Sequence, residues 1–246
     1  LLGKENGFET PKPTRLLRHF IQMATKNDGS DIVMDFFAGT GTLGDAVLQQ
    51  NHDDGGNRRF VLVQLPEPTT SREFPTIASI AKRRLTGSIE ALKKRAGDEL
   101  DLANGTRFDL GFRVFKLTSS NFKIWDGEVV PSDPEKLIEQ IRLFADNVVP
   151  GRPQEAILYE LILKAGLPLT AEIKTRELHG ATVYLVAGGL LLICLADPIE
   201  RDVLRAIVDL KPQRVLCLDH AFRGNDKDKV NALLEMRSHG IEFRTV

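Results

Sequence analysis

The sequence has 246 residues, 42% hydrophobic and 27% charged, with a formal net charge of −1. That length suits one large domain or two small ones, and the apolar content suffices for a sizeable core. Charge this close to zero excludes a generally basic nucleic-acid binder, so such a role needs a local basic face or a partner domain. Apolar runs such as 188–196 fall well short of the roughly 20 residues that span a bilayer, and no signal peptide is visible at the start.

In chain order, residues 13–25 predict a helix: Leu16, Leu17, Phe20, Ile21 and Ala24 share one face, and Pro13 suits a first helical turn. "DIVMDFF" (31–37) reads as a buried strand, Thr42 to Gln50 as a helix, "NHDDGGNRR" as a turn-rich loop holding His52, and "FVLVQL" (60–65) as a second buried strand. Together these predict a parallel β–α–β unit. A basic helix follows at 76–96, with Ile77, Ile80, Ala81, Leu85, Ile89 and Leu92 as its apolar stripe. Lys82, Arg83, Arg84, Lys93, Lys94 and Arg95 are read as a solvated face, with a contact to a phosphate backbone as the alternative.

Residues 97–111 turn polar and glycine-bearing, a candidate linker or hairpin. Residues 112–117 ("FRVFKL") then look strand-like, and Trp125 is a candidate anchor for the linker. Helices are predicted at about 134–147 and 153–165, then strands near 181–187 and 190–195, a helix at 199–209, a strand at 214–218, a helix at 227–238 and a final strand. This alternation predicts a second, small α/β unit. Cys194 and Cys217 lie in apolar runs and read as buried thiols in a reducing compartment.

"DFFAGTGT" (35–42) carries the chemistry. A strand, a glycine turn and a helix N-terminus together form a nucleotide site: glycines allow close approach, and the helix end offers free N–H groups. Gly39, Gly41 and Gly44 match a dinucleotide spacing. Against a dinucleotide, Asp35 stands where it repels a pyrophosphate, and the second strand runs to Gln64 where an acid is expected. An acid there suits a ligand with a positive amino group and no phosphate, and S-adenosylmethionine is such a ligand. Asp35 then meets its amino end and Gln64 its ribose hydroxyls. An NAD-dependent oxidoreductase is the alternative that the glycine spacing alone allows.

"DFFAGTGT" resembles the cofactor motif of DNA methyltransferases that act on exocyclic amino groups. "FETPKPTRLLRHFI" (8–21), about 20 residues upstream, resembles the segment preceding it in the β-class arrangement, with Thr10, Lys12 and Pro13 matching. Residues 58–68, 111–125 and 215–246 further resemble the modification (Mod) subunits of type III restriction–modification systems, which are adenine-N6 methyltransferases. The resemblance implies an α/β fold. It predicts an incomplete Rossmann-like methyltransferase sub-domain, the cofactor half, at 1–100, a linker at 101–132 and a smaller α/β C-terminal domain at 133–246. It implies S-adenosylmethionine as cofactor, held by Thr10, Lys12, Pro13, Asp35, Phe36, Phe37, Ala38, Gly39, Thr40, Gly41, Thr42 and Gln64.

It also implies double-stranded DNA, a restriction (Res) subunit and a second modification subunit as partners, and a cytoplasmic setting. The family's catalytic Asp-Pro-Pro-Tyr tetrapeptide is not in this sequence; Asp133-Pro134 and Asp197-Pro198 lack its second proline and aromatic residue. The chain therefore reads as part of a longer enzyme, inactive alone, with no catalytic residue of its own. A pure subunit-interaction module is the other alternative, since residues 111–246 lie outside the cofactor motifs.

Among single residues, His220 with Asp219, Arg223 and Asp226 suggests either a structural loop or a second polar site at a strand's carboxyl end. His19 reads as surface, His179 and His239 as turn or helix-end residues, and Asp45 as solvent-facing. No His/Cys set has metal-ligand spacing.

Overall fold

The computed structural model describes residues 12–96, 110–123 and 147–246. Thr10, Trp125, most of the 101–132 linker and the helix expected at about 134–147 lie outside the described residues. The chain is mixed α/β and divides into two compact units, Leu1–Arg113 and Val114–Val246. No helix among the described residues is long and apolar enough to cross a membrane.

The first unit runs α1 (Thr14–Ala24), β1 (Ile32–Asp35), α2 (Thr42–Asp54), β2 (Arg59–Leu62) and α3 (Ile77–Ala96). β1 and β2 pair in parallel, Ile32 opposite Arg59 and Asp35 opposite Leu62. Val33, Phe60 and Leu62 pack with Ile21, Ala46, Val47, Leu48, Leu85, Ile89 and Leu92 of the helices.

Both strands were expected to be buried, and they are so on one face only. Alternate residues of a strand point to opposite faces, and Ile32 and Met34 are 54% and 57% exposed, with Val61 exposed beside them. Leu16, Phe20 and Met23 of α1 are also exposed, so only part of its predicted apolar face is packed.

α2 is longer than expected. "NHDD" has turn-like composition, but the helix runs to Asp54, where Gly55 ends it in the left-handed conformation. Hydrogen bonds hold this last turn. Arg58, itself buried, donates to Asp54 Oδ1 (3.0 Å) and to Thr25 Oγ1 (2.7 Å), and Gln50 donates to Asp54 Oδ2 (2.9 Å). His52 is therefore helical and not in a loop.

The second unit carries α4 (Gln154–Lys164), β3 (Ile173–Leu178), β4 (Ala181–Val186), β5 (Leu191–Cys194), α5 (Arg201–Asp209), β6 (Arg214–Cys217), α6 (Asp226–Ser238) and β7 (Glu242–Thr245). Its sheet order is β3-β4-β5-β6-β7. The first two pairings are antiparallel and the last two parallel. One cluster packs α5 and α6 against Val183, Leu192, Cys194, Val215, Cys217 and Phe243; another packs α4 against Val186, Leu191, Ile193 and Leu216. The sheet is thus a middle layer, which explains the continuous burial of Leu191 to Cys194.

β3 was not expected. Lys174, Arg176 and Glu177 are exposed on it, and a charge-rich edge strand reads like a loop. It joins β4 through His179-Gly180, both at positive φ (46° and 83°), as a two-residue hairpin turn requires. "FRVFKL" (112–117), expected to be a strand, forms none and leaves Leu117 wholly exposed.

Candidate functional site

Loop 36–41 leaves the carboxyl end of β1 and enters α2. Asp35 Oδ1 accepts the Phe37 N–H at 3.0 Å, so the acid before the loop also shapes it. The Ala38 N–H donates to Val63 O (3.1 Å) and the Gly39 N–H to Gln64 Oε1 (2.7 Å). The segment after β2 therefore pins the loop after β1. Gln64 Nε2 faces Leu65 O at 3.2 Å and Glu67 at 3.3 Å.

Each glycine has a separate physical cause. Gly39 has φ +54, and a Cβ there meets only Phe37 O, at 4.0 Å, so conformation demands it and the space beside it stays open. Gly41 has φ +75 and abuts Ala81, at 3.2 Å from a built Cβ. Gly44 is helical, but a Cβ there falls 2.9 Å from both Leu62 Cδ1 and Leu85 Cδ2, so this glycine serves close packing of α2 on β2 and α3.

The expected site residues fall into two sets. Asp35, Phe36, Phe37 and Lys12 are at least partly accessible. Phe36 and Phe37 are among the most exposed aromatics, with ring centroids 5.1 Å apart. Lys12 Nζ lies 3.9 Å from Asp35 Oδ2, which brings residues of the two motifs together. Pro13 precedes α1 as its cap. Ala38, Thr40 and Thr42 are buried, the two threonine hydroxyl oxygens 3.5 Å apart, so those side chains support the loop from within.

Asp45 does not face solvent. It is 3% exposed, accepts hydrogen bonds from Ser88 Oγ (2.6 Å) and Gln49 Nε2 (2.7 Å), and lies 3.8 Å from Arg84 Nη1. Arg84 also donates from Nη2 to Thr40 Oγ1 at 3.2 Å. A buried carboxylate needs such partners. Arg84 therefore leaves the solvated set, while Lys82, Arg83, Lys93, Lys94 and Arg95 stay exposed. Spacing held the signal: Ile77, Ala81, Arg84, Ser88 and Leu92 follow one another by three or four residues, one line down a helix.

At the other end of the chain, His220 Nε2 lies 3.6 Å from Asp197 Oδ2, beyond the carboxyl ends of β6 and β5. Asp219 is paired with Lys229, and the Ile199 N–H donates to Ala221 O at 3.1 Å. This is an internally braced pair of loops. Cys194 and Cys217 are register partners at full burial; the Cys194 contact and burial push the Cys217 thiol well up. Among the described residues no group of three or more His, Cys, Asp or Glu side chains is placed to hold a metal ion.

Residues 2–67 match the family model described as DNA methylase. The chain is 27% identical over 241 residues to the type III restriction-modification enzyme EcoPI Mod subunit of Escherichia phage P1, covering 93% of this chain and 34% of that protein. It is 28% identical over 241 residues to the EcoP15I Mod subunit of Escherichia coli, covering 93% and 33%. To the StyLTI Mod subunit of Salmonella typhimurium it is 36% identical over 121 residues, covering 47% and 17%. The chain thus spans about a third or less of the length of these curated relatives.

Proposed function

We propose, from its similarity to the modification subunits of type III restriction–modification enzymes, that this chain supplies the S-adenosylmethionine loop of a DNA adenine-N6 methyltransferase. The observation that carries this reading is the open cradle at Gly39, with an acid directly before the loop and an amide side chain pinning it. Bound there, S-adenosylmethionine supplies a methyl group on a positive sulfur.

The residues divide the binding by chemistry. Asp35 attracts the ligand's ammonium group, and Lys12 holds that carboxylate from the α1 side. Phe36 and Phe37 offer exposed apolar surface next to the loop. Gln64 gives its carbonyl to Gly39 and its amide hydrogens to Leu65 O and Glu67, and the ribose hydroxyls compete for that amide. The first unit is read as the cofactor half of a Rossmann-like sub-domain. Its open face at Ile32, Met34 and Val61 fits further polypeptide in the intact enzyme.

The target adenine has to leave the DNA stack, and the grip on its amino group falls to the Asp-Pro-Pro-Tyr element, which this sequence does not contain. The contribution of this chain is positioning, which is itself a large part of a barrier. The second unit is read as the assembly half, facing a restriction subunit or a second modification subunit.

The test is calorimetric titration of S-adenosylmethionine and then NADH into the chain, with Asp35→Ala as control. Binding of the methyl donor alone, lost in the variant, is the expected result. Tight NADH binding without response to the methyl donor overturns the reading. DNA methylation by the isolated chain overturns the division of labour.

A further inference from the structure

Arg84 carries a charge that the sequence places on a solvated helix, yet its side chain is only 13% exposed and touches the loop itself. We infer that Arg84 is a positioning residue, holding the glycine loop through Thr40 and Asp45 in the shape that receives the cofactor's amino-acid end; this rests on reading the loop as the S-adenosylmethionine site.

The first argument is conformational. Thr40 stands between Gly39 and Gly41, both at positive φ (54° and 75°). A chain with glycine on either side has little preference of its own, so side-chain anchors decide its shape. Gln64 anchors Gly39 from the strand side. From the helix side, Arg84 Nη2 donates to Thr40 Oγ1 at 3.2 Å, and Ala81, one turn earlier, abuts Gly41. α3 is thus a brace along the loop.

The second argument is electrostatic. Asp45 lies in the first turn of α2, where a carboxylate is favoured by the helix end but also competes with any anionic ligand group for it. Arg84 Nη1, 3.8 Å away, neutralises that carboxylate and leaves the helix end positive for the cofactor's own carboxylate. Arg84 Nε is buried and makes no hydrogen bond among the described residues, so the side chain acts through its two terminal nitrogens. A lysine cannot reproduce both contacts.

The test is hydrogen exchange by mass spectrometry on the whole chain, comparing Arg84→Gln, Arg84→Lys and Thr40→Val with the parent. Losing one charge-assisted hydrogen bond should speed exchange across residues 36–44 by about tenfold in Arg84→Gln. Thr40→Val, which keeps the arginine, should loosen the same segment, and Arg84→Lys should be intermediate. β1, α1 and the second unit should exchange as in the parent. Affinity for S-adenosylmethionine, by calorimetry on the same proteins, should fall in the same order. Unchanged exchange at 36–44, or a uniform rise across the first unit, overturns the inference. If the parent itself binds no S-adenosylmethionine, the cofactor reading fails separately, and the exchange pattern alone still decides whether Arg84 holds the loop.

Discussion

Gln64 Oε1 accepts the Gly39 N–H at 2.7 Å, joining the segment after β2 to the loop after β1. In a dinucleotide site an acid near this position meets the ribose. Here the side chain has structural partners on both sides: its carbonyl holds Gly39, and its amide hydrogens go to Leu65 O and Glu67.

That division predicts the outcome of two substitutions at Gln64. Gln64→Ala removes the anchor and should weaken S-adenosylmethionine binding about tenfold, the worth of one hydrogen bond to a partly buried amide. Gln64→Glu keeps an acceptor for Gly39 but loses the amide hydrogens that Leu65 O and Glu67 accept and sets a carboxylate beside Glu67, so a smaller loss of about threefold is expected. Calorimetry on both variants checks this; equal losses would show that the amide hydrogens matter and the anchor does not.

The three glycines should respond to alanine in a definite order. Gly41→Ala meets both a positive φ and the close approach of Ala81, including its backbone, and should cost about 2 kcal/mol or more. Gly39→Ala meets strain without a clash, and about 1 kcal/mol is expected. Gly44→Ala crowds only the ends of Leu62 and Leu85, and its gain in helix propensity offsets part of that, leaving about 1 kcal/mol or less. Urea unfolding of the three variants measures the order, and Gly44→Ala as the most damaging would contradict this account.

Glu160 on α4 should make the second unit acid-sensitive. Burial raises its carboxyl pKa, but hydrogen bonds from Ser120 Oγ, the Asn121 N–H, Lys164 and Asn121 Nδ2 outweigh it and bring it from 4.5 to about 2. A carboxyl depressed in the folded state stabilises fully above its unfolded pKa. That stabilisation is lost as pH falls from about 4.5 to about 2. With its side chain 15% exposed, on the order of 2 kcal/mol is at stake after allowing for screening. Subtracting the Glu160→Gln stability curve from the parent's isolates the effect; no pH dependence of that difference between pH 5 and 2 would refute it.

Much of this architecture is legible in the residues, for identifiable reasons. The strand–glycine turn–helix at 31–50 announces itself because Gly39 and Gly41 are needed for their positive φ. Leu191 to Cys194 reads as a strand because both its faces are packed. What stays hidden depends on neighbours distant in sequence. Asp45 looks like a surface residue until α3 brings Ser88 and Arg84 to it. The last turn of α2 looks like a loop until Arg58 holds Asp54. β3 looks like a loop because an edge strand carries charge.

The open face of the first unit gives a prediction that depends on a one-residue step. Val33 packs among the helices, whereas Met34, its neighbour, points the other way at 57% exposure, opposite Val61. Successive strand residues alternate faces, so the same substitution at the two positions meets opposite environments. Val33→Lys buries an unpaired charge against Ile21 and Val47 and should cost upward of about 3 kcal/mol. Met34→Lys adds charge to a surface already in water and should change stability of this chain by about 0.5 kcal/mol or less. It should also lower the binding of a hydrophobic dye, because it breaks up a contiguous apolar patch. In the intact enzyme the proposed additional polypeptide covers that face, and there Met34→Lys should become costly. Thermal unfolding of the two variants in this chain is the measurement. Equal, large losses would mean that the outer face is packed after all, and the reading of Ile32, Met34 and Val61 as an interface awaiting its partner would fall with it.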